Sequence, residues 1–319
     1  MDNTPVEFAE EIIRFDASTR ELWRRDFRDL SGSFKAAGTS MVPNRVNLSV
    51  NIHVSQDLAR LSYTTSITGC RNGQSLEETP LSEFYQSSKF YVNATIQVNQ
   101  ARDWNDPALN VVSWNDPAFR KIVATLQKFP SVKLHDHTLK TLDPSPIYGL
   151  FRKKMFLVHD SLTLKYCLDE DYRDFVQFQM ANSKVYNVKI SGTVIQDDDW
   201  LTTLLWLYFG NRHTYSFVVD CSGMDSAQWA TKMALLVDLW ATYPGDVKPN
   251  FQKRLSFIPA GIPWNTEGLI TTSRKDFPVY VVQVSRPSCP QRIIEYAMVM
   301  GYSAKLTFFE RSLGSRADS

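Results

Sequence analysis

The first regularity along the chain is an alternation. Val46, Leu48, Val50, Ile52 and Val54 are apolar, with Asn47, Ser49, Asn51 and His53 between them. A two-residue period of this kind predicts a strand with one buried face. Residues 61–67 predict its hairpin partner, across a loop around Gln56 and Asp57, and 90–98 repeats the alternation. Residues 69–80 predict a polar loop. From about Val185 onward the period switches back and forth. Strands are expected at Val185–Ile190, Tyr215–Asp220, Arg254–Pro259, Val279–Ser285 and Lys305–Glu310, and helices at Asp198–Phe209, Asp225–Tyr243 and Pro290–Met300. The inner helix faces would carry Leu201, Leu204, Leu205 and Tyr208, then Trp229, Met233, Leu236 and Trp240. Strands alternating with helices imply an α/β fold with a largely parallel sheet and crossover helices. The intervals are irregular, so the expectation is a degenerate, leucine-rich-repeat-like curved sheet.

Two shorter patterns refine this. Trp104-Asn105-Asp106-Pro107-Ala108-Leu109 is echoed by Trp114-Asn115-Asp116-Pro117-Ala118-Phe119. The second copy predicts a helix start, with Asn115 or Asp116 as N-cap, Pro117 at the first position, and Phe119, Ile122, Val123 and Leu126 buried. The first copy reads as a loop using the same turn chemistry. The N-terminus has a different texture altogether. Thr4-Pro5-Val6-Glu7 and Ser18-Thr19-Arg20-Glu21 are capping boxes. Phe8, Ile12 and Phe15 line one helical face, and Trp23, Phe27 and Leu30 a second, before a third short element at Ser31–Phe34. The division expected is a helical module over 1–40 and an α/β body over 41–312. That body is strand-rich to 180 and alternating from 181, and a disordered tail follows over 313–319.

Charge narrows the function classes. With 35 basic and 34 acidic residues in 319, the formal net charge is +1. Nucleic-acid binders carry a pronounced basic excess, so no such partner is expected, and Arg152-Lys153-Lys154 reads as a solvated loop. The start of the chain lacks the basic-then-apolar pattern of a signal peptide. The most apolar run, Trp200–Phe209, is short of the roughly 18–20 residues a membrane span needs. Cys70, Cys167, Cys221 and Cys289 are widely separated and form no C-x-x-C pair, which suits reduced thiols in the cytoplasm or nucleus. The sequons at Asn47 and Asn93 are then expected to be unmodified.

Candidate chemistry is sparse. His135-Asp136-His137 places two imidazoles on one side of a strand, a spacing some metal sites use, but no second ligand pair accompanies it. Asp197-Asp198-Asp199 has the oxygens a hard cation prefers, yet it also precedes an apolar helix, where capping wants the same residues. Asp220-Cys221-Ser222-Gly223-Met224-Asp225 follows a strand, and Cys221 has no identifiable basic partner. The chain has no G-x-G-x-x-G, phosphate loop or nucleophile elbow. Trp206, Tyr208 and Phe209 sit in a helical pattern and read as core. No catalytic residue, cofactor or metal is implied.

The N-terminal pattern carries a resemblance. Pro5-x-Glu7-Phe8, Ile12-Ile13, Leu22 and Leu30-Ser31-x-x-Phe34 resemble the anchors of an F-box. Thr4 stands where that family customarily has Leu, and the middle is a few residues longer. A long mixed strand–helix region after such a module is similar in layout to the nematode F-box-associated family. The resemblance implies that Pro5, Phe8, Ile12, Leu30 and Phe34 form a surface for a Skp-family linker of a cullin–RING ubiquitin ligase. It further implies that the body recruits an unknown protein target without catalysing anything. An amphipathic face with spaced anchors is the physical form of such recognition. Sequence equally allows those residues to be the module's own core. Two alternatives stand beside the adaptor: an α/β enzyme or small-ligand-binding protein using the loops at Asp197–Asp199 and Asp220–Asp225, and a degenerate structural family member.

Overall fold

The computed structural model describes residues 6–7, 9–10, 32–41, 46–54, 61–71, 74–75, 91–100, 111–113, 115–137, 145–165, 169–191, 198–220, 226–244, 253–258, 268–276, 279–299 and 304–310. The chain divides into two compact units, Met1–Phe175 and Val176–Ser319.

In the first unit the alternation folds as predicted. Helix α1 (Gly32–Met41) precedes β1 (Val46–Val54), whose five apolar residues are buried and whose polar residues are half-buried. Strands β2 (Leu61–Arg71), β3 (Gln74–Ser75), β4 (Tyr91–Gln100) and β5 (Val111–Val112) follow. Then come α2 (Pro117–Leu126), β6 (Ser131–Asp136), α3 (Ser145–Lys153) and β7 (Ser161–Lys165). The sheet order is β7-β6-β4-β1-β2-β3, with β5 beside β2. β1, β4, β6 and β7 run parallel, and β2 returns antiparallel to β1 with Val50 opposite Thr65.

Strands β4, β6 and β7 are neighbours in the sheet and follow one another in the chain apart from the short β5. Right-handed crossovers between consecutive parallel strands put their helices on one face. Contacts from α2 and α3 land on that face: Tyr63 meets Phe119 at 5.3 Å, and the Tyr148 hydroxyl donates to Asp136 Oδ2 at 2.6 Å. Asp116 caps α2 by accepting from the Phe119 N–H at 2.8 Å, and Phe119, Ile122, Val123 and Leu126 are buried as expected.

Three expectations change here. The 69–80 segment begins as strand, because β2 continues to Arg71 and turns into β3. Residues 145–153 and 170–182 are helices within a stretch expected to be strand-rich. Arg152 and Lys153 form the last turn of α3, where positive charge suits the helix dipole, and Lys154 follows in the closing turn. That helix closes with Phe156 N–H to Phe151 O at 2.9 Å and Met155 N–H to Arg152 O at 3.0 Å, the Schellman arrangement. Met155 holds the left-handed position, with φ of 53°.

The boundary between units falls inside α4 (Glu170–Asn182). The second unit continues with β8 (Asn187–Ser191), α5 (Asp198–Gly210), β9 (Ser216–Asp220), α6 (Ser226–Thr242) and β10 (Lys253–Ile258). It ends with β11 (Ile270–Asp276), β12 (Val279–Arg286), β13 (Cys289–Val299) and β14 (Ala304–Glu310). Its strand order is β11-β12-β13-β14-β10-β9-β8. β8, β9 and β10 are parallel, and the remaining pairs antiparallel. The expected parallel α/β pattern thus holds in the strands joined by helices, with antiparallel strands beside them.

The core of this unit is aromatic. Phe209 meets Trp240 at 5.2 Å and Phe308 at 5.1 Å, and Leu201, Leu204, Leu205, Tyr208, Met233 and Leu236 are buried around them. Tyr208 and Phe209 are therefore core, as their helical spacing implies, while Trp206 is half-buried against Tyr243 at 5.7 Å; the Trp229 side chain lies outside the described residues. One predicted element is wrong. Pro290–Met300 is not a helix but most of β13, paired to β12 through Ile294↔Val284 and to β14 through Ile293↔Phe309. A strand with partners on both sides satisfies every ladder group, and that outweighs the helix-start signal of Pro290. The expected tail over 313–319 and the first Trp-Asn-Asp-Pro copy lie outside the described residues.

Candidate functional site

Opposite α2 and α3, the first unit's sheet carries rows of hydrogen-bonding side chains. Thr64, Asn51, Gln97, His135 and Thr163 stand in register across β2, β1, β4, β6 and β7. Ser66, Ser49, Thr95, Lys133 and Ser161 form the next row, and Thr68, Asn47 and Asn93 a third. The β2 members are exposed and the others half-buried. Strand periodicity places them there, since the intervening Val50, Ile96, Leu134 and Leu162 must face the helices.

The rows are partly cross-linked. Asn93 Nδ2 donates to Asn47 Oδ1 at 3.3 Å, Ser131 Oγ donates to Asp160 Oδ2 at 3.1 Å, and Lys133 Nζ lies 3.4 Å from the same oxygen. His135 stacks on His137, with ring centroids 6.1 Å apart. Its pKa is lowered, mainly by partial burial and then by His137 and Lys133, with Asp160 opposing. Amides, hydroxyls and imidazoles repeated from strand to strand, about 4.8 Å apart, supply donors and acceptors for a polar partner.

The sequence-predicted sites fare unevenly. The two histidines do share a side, but Asp136 faces the other way and holds Tyr148, so the trio does not converge. No group of three or more His, Cys, Asp or Glu among the described residues is placed to hold a metal ion. Helix α5 begins at Asp198, and Asp199 is exposed in its first turn, where negative charge suits the dipole. Asp220 ends β9, while Asp197 and residues 221–225 lie outside the described set. The two loops leave neighbouring parallel strands, β8 and β9, at the same edge. Yet β8, β9 and β10 follow one another in chain and sheet order, and open α/β sheets bind ligands where that order reverses.

Of the five F-box-like anchors, Phe34 is described. It is half-buried and packs against a small cluster of Ala9, Ala37 and Met41. Pro5, Phe8, Ile12 and Leu30 lie outside the described residues.

Sequence reasoning missed one cluster entirely. Lys253, at the start of β10, is fully buried. Its Nζ donates to the carbonyls of Tyr208, Asn211 (2.6 Å) and Thr214 (2.8 Å), at the C-terminal end of α5, and sits 4.4 Å from the Tyr208 ring centroid. Burial lowers its pKa to about 7. Asn211 Nδ2 donates to Met180 O at 2.7 Å and Ser183 O at 3.1 Å, while its Oδ1 accepts from the His213 and Thr214 N–H groups. These hydrogen bonds all go to main-chain groups, so this knot fastens helix ends and loops. The lysine lies in an ordinary strand pattern, which gives no sign of a buried cation.

No known protein family matches the chain and no curated protein does so. Among solved structures, an S-adenosylmethionine-dependent methyltransferase from Clostridium acetobutylicum is similar at 9% identity and a TM-score of 0.13, over 51% of this chain and 72% of that one. A likeness at that level supports neither a shared fold nor a shared activity. No helix among the described residues is long and apolar enough to cross a membrane.

Proposed function

We propose that the chain is a non-enzymatic protein-binding adaptor that offers a target to a ubiquitin ligase through its F-box-like N-terminus. The observation that carries the binding role is the polar sheet face of the first unit. Parallel strands are ordinarily covered on both faces and apolar on both. Here β1, β4, β6 and β7 keep one apolar face for α2 and α3 and give the other to Asn, Gln, Thr, Ser, His and Lys. Those side chains are hydrogen-bonding groups, suited to a polar protein surface. The ligase connection rests on the anchor spacing from Pro5 to Phe34. In this reading Phe34 steadies the module from inside, and Pro5, Phe8, Ile12 and Leu30 meet the linker.

A pull-down of a Skp-family linker by the full chain tests the connection. Capture is expected, with a loss of at least about tenfold in Phe8→Asp and Ile12→Asp, the size of a hot-spot truncation. The proposal falls if the parent does not capture the linker, or if folded variants capture it equally well.

A further inference from the structure

A second surface lies where β8, β9 and β10 begin. The described residues at these strand starts are 183–189, 211–216 and 253–255. They contain Lys184, Lys189, Arg212, Lys253 and Arg254, together with His213, and no Asp or Glu among them. Lys253 is consumed inside by the helix-end carbonyls. Lys184, Lys189, Arg212 and His213 are exposed, and Arg254 is half-buried.

Within these cations stands an aromatic stack. Tyr186 and Tyr215 lie with ring centroids 5.2 Å apart and planes 15° from parallel, and the Arg254 guanidinium sits 4.9 Å from the Tyr215 centroid. Tyr186 is 50% exposed, one of the few large side chains of the described residues left open to solvent. The stack is held by main-chain bonds: Tyr215 N–H to Tyr186 O at 2.9 Å and Arg254 N–H to Tyr215 O at 2.9 Å. Asn211 ties the 183 and 211 loops together from beneath. The surface is thus fixed before anything binds, which spares a partner the cost of ordering it.

Helix C-termini explain part of the charge, because α4 and α5 end at this edge and their carbonyls favour nearby cations. They do not explain an exposed tyrosine on a fixed stack. Tyr and Arg together are the composition of interface anchors.

We infer that this edge docks an acidic, aromatic-bearing segment of a protein partner, its carboxylates meeting Lys184, Lys189 and Arg212 and its ring extending the Tyr186–Tyr215 stack. The inference rests on the protein-binding reading above and gives the target a chemical class. A single strand of nucleic acid fits less well. Three strand starts span only about 10 Å, and such binders track a longer groove with successive aromatic platforms.

The test is fluorescence anisotropy with the full chain and a labelled peptide of glutamates around one phenylalanine. Saturable binding is expected, weakening with salt and falling at least about tenfold in Tyr186→Ser. The exposed pair Lys184→Glu with Arg212→Glu is expected to abolish it while leaving the circular-dichroism melt unchanged. Absent binding overturns the inference, as do equal binding of a glutamine-for-glutamate peptide, unaltered binding by the folded variants, or tighter binding of single-stranded oligothymidine. Linker capture without peptide binding sinks this surface alone. Peptide binding without linker capture sinks the ligase connection alone.

Discussion

The two units solve the same problem, burying polar groups beneath a helix-covered sheet, with different chemistry. In the first, the buried polar side chains among the described residues are Ser62, Thr125, Ser131 and Asp136, and Asp136 accepts from the Tyr148 phenol. In the second they include Lys253, Lys232, Asn211 and Gln179. Two cations there reach back to close helices. Lys253 serves the end of α5, and Arg292 donates to the carbonyls of Trp240 (3.1 Å), Ala241 (3.4 Å) and Tyr243 at the end of α6. The first unit ends α3 mainly with main-chain bonds around Met155, with Gln127 Nε2 adding one bond to Lys154 O at 3.0 Å. A helix end can be satisfied locally or by a distant strand. The distant solution couples helix, loop and strand, so a single side chain carries more.

That contrast sets an order of effects. Lys253→Met leaves three carbonyls without their donor and should cost about 3 kcal/mol in urea denaturation. The lysine also makes a pH prediction. Its folded pKa of about 7 lies below the ordinary 10.5, so the unfolded chain holds the proton more tightly between these values. Stability should therefore rise with pH across that window, relative to Lys253→Met. A flat difference would mean that the three carbonyls hold the ammonium against its burial, breaking the contrast at its strongest point. Tyr148→Phe removes one donor from buried Asp136 and should cost about 1–2 kcal/mol, less than the clamp.

Asp116→Ala removes a local cap and should cost about 1 kcal/mol. Met155→Gly relieves a left-handed residue with no buried side chain and should stabilise by about 0.5–1 kcal/mol, read as a higher Tm. The smallest effect belongs to His135. Its depressed pKa means that the unfolded chain protonates first as pH falls through 6.5, so stability held above that value is lost below it. His135→Gln should flatten that part of the profile in a pH-dependent melt.

Much of this was legible in the residues, for identifiable reasons. β1 announced itself because five buried and four half-buried positions alternate without a break. Helix α2 did so because Asp116 and Pro117 are local devices that need no tertiary partner. β13 did not, since Ile293, Ile294 and Tyr296 are all buried and a strand covered on both faces loses its alternation. β11 went unseen too: Ile270-Thr271-Thr272-Ser273-Arg274 is polar, and its first four residues are exposed. The tyrosine–arginine stack was equally hidden, because Tyr186, Tyr215 and Arg254 come together only when β8, β9 and β10 align.

The sequence by itself determined the elements whose instructions are local: alternation for β1 and β4, cap and spacing for α2, and spacing for α5 and α6. Tertiary structure alone decided which strands pair, that 289–299 extends rather than coils, and that one lysine is buried against carbonyls forty residues away in sequence. Local preferences act through a few neighbouring dihedrals and can be read one residue at a time. Pairing and ion burial depend on groups that meet only after the chain has folded, where an unmet ladder or carbonyl costs more than any propensity returns.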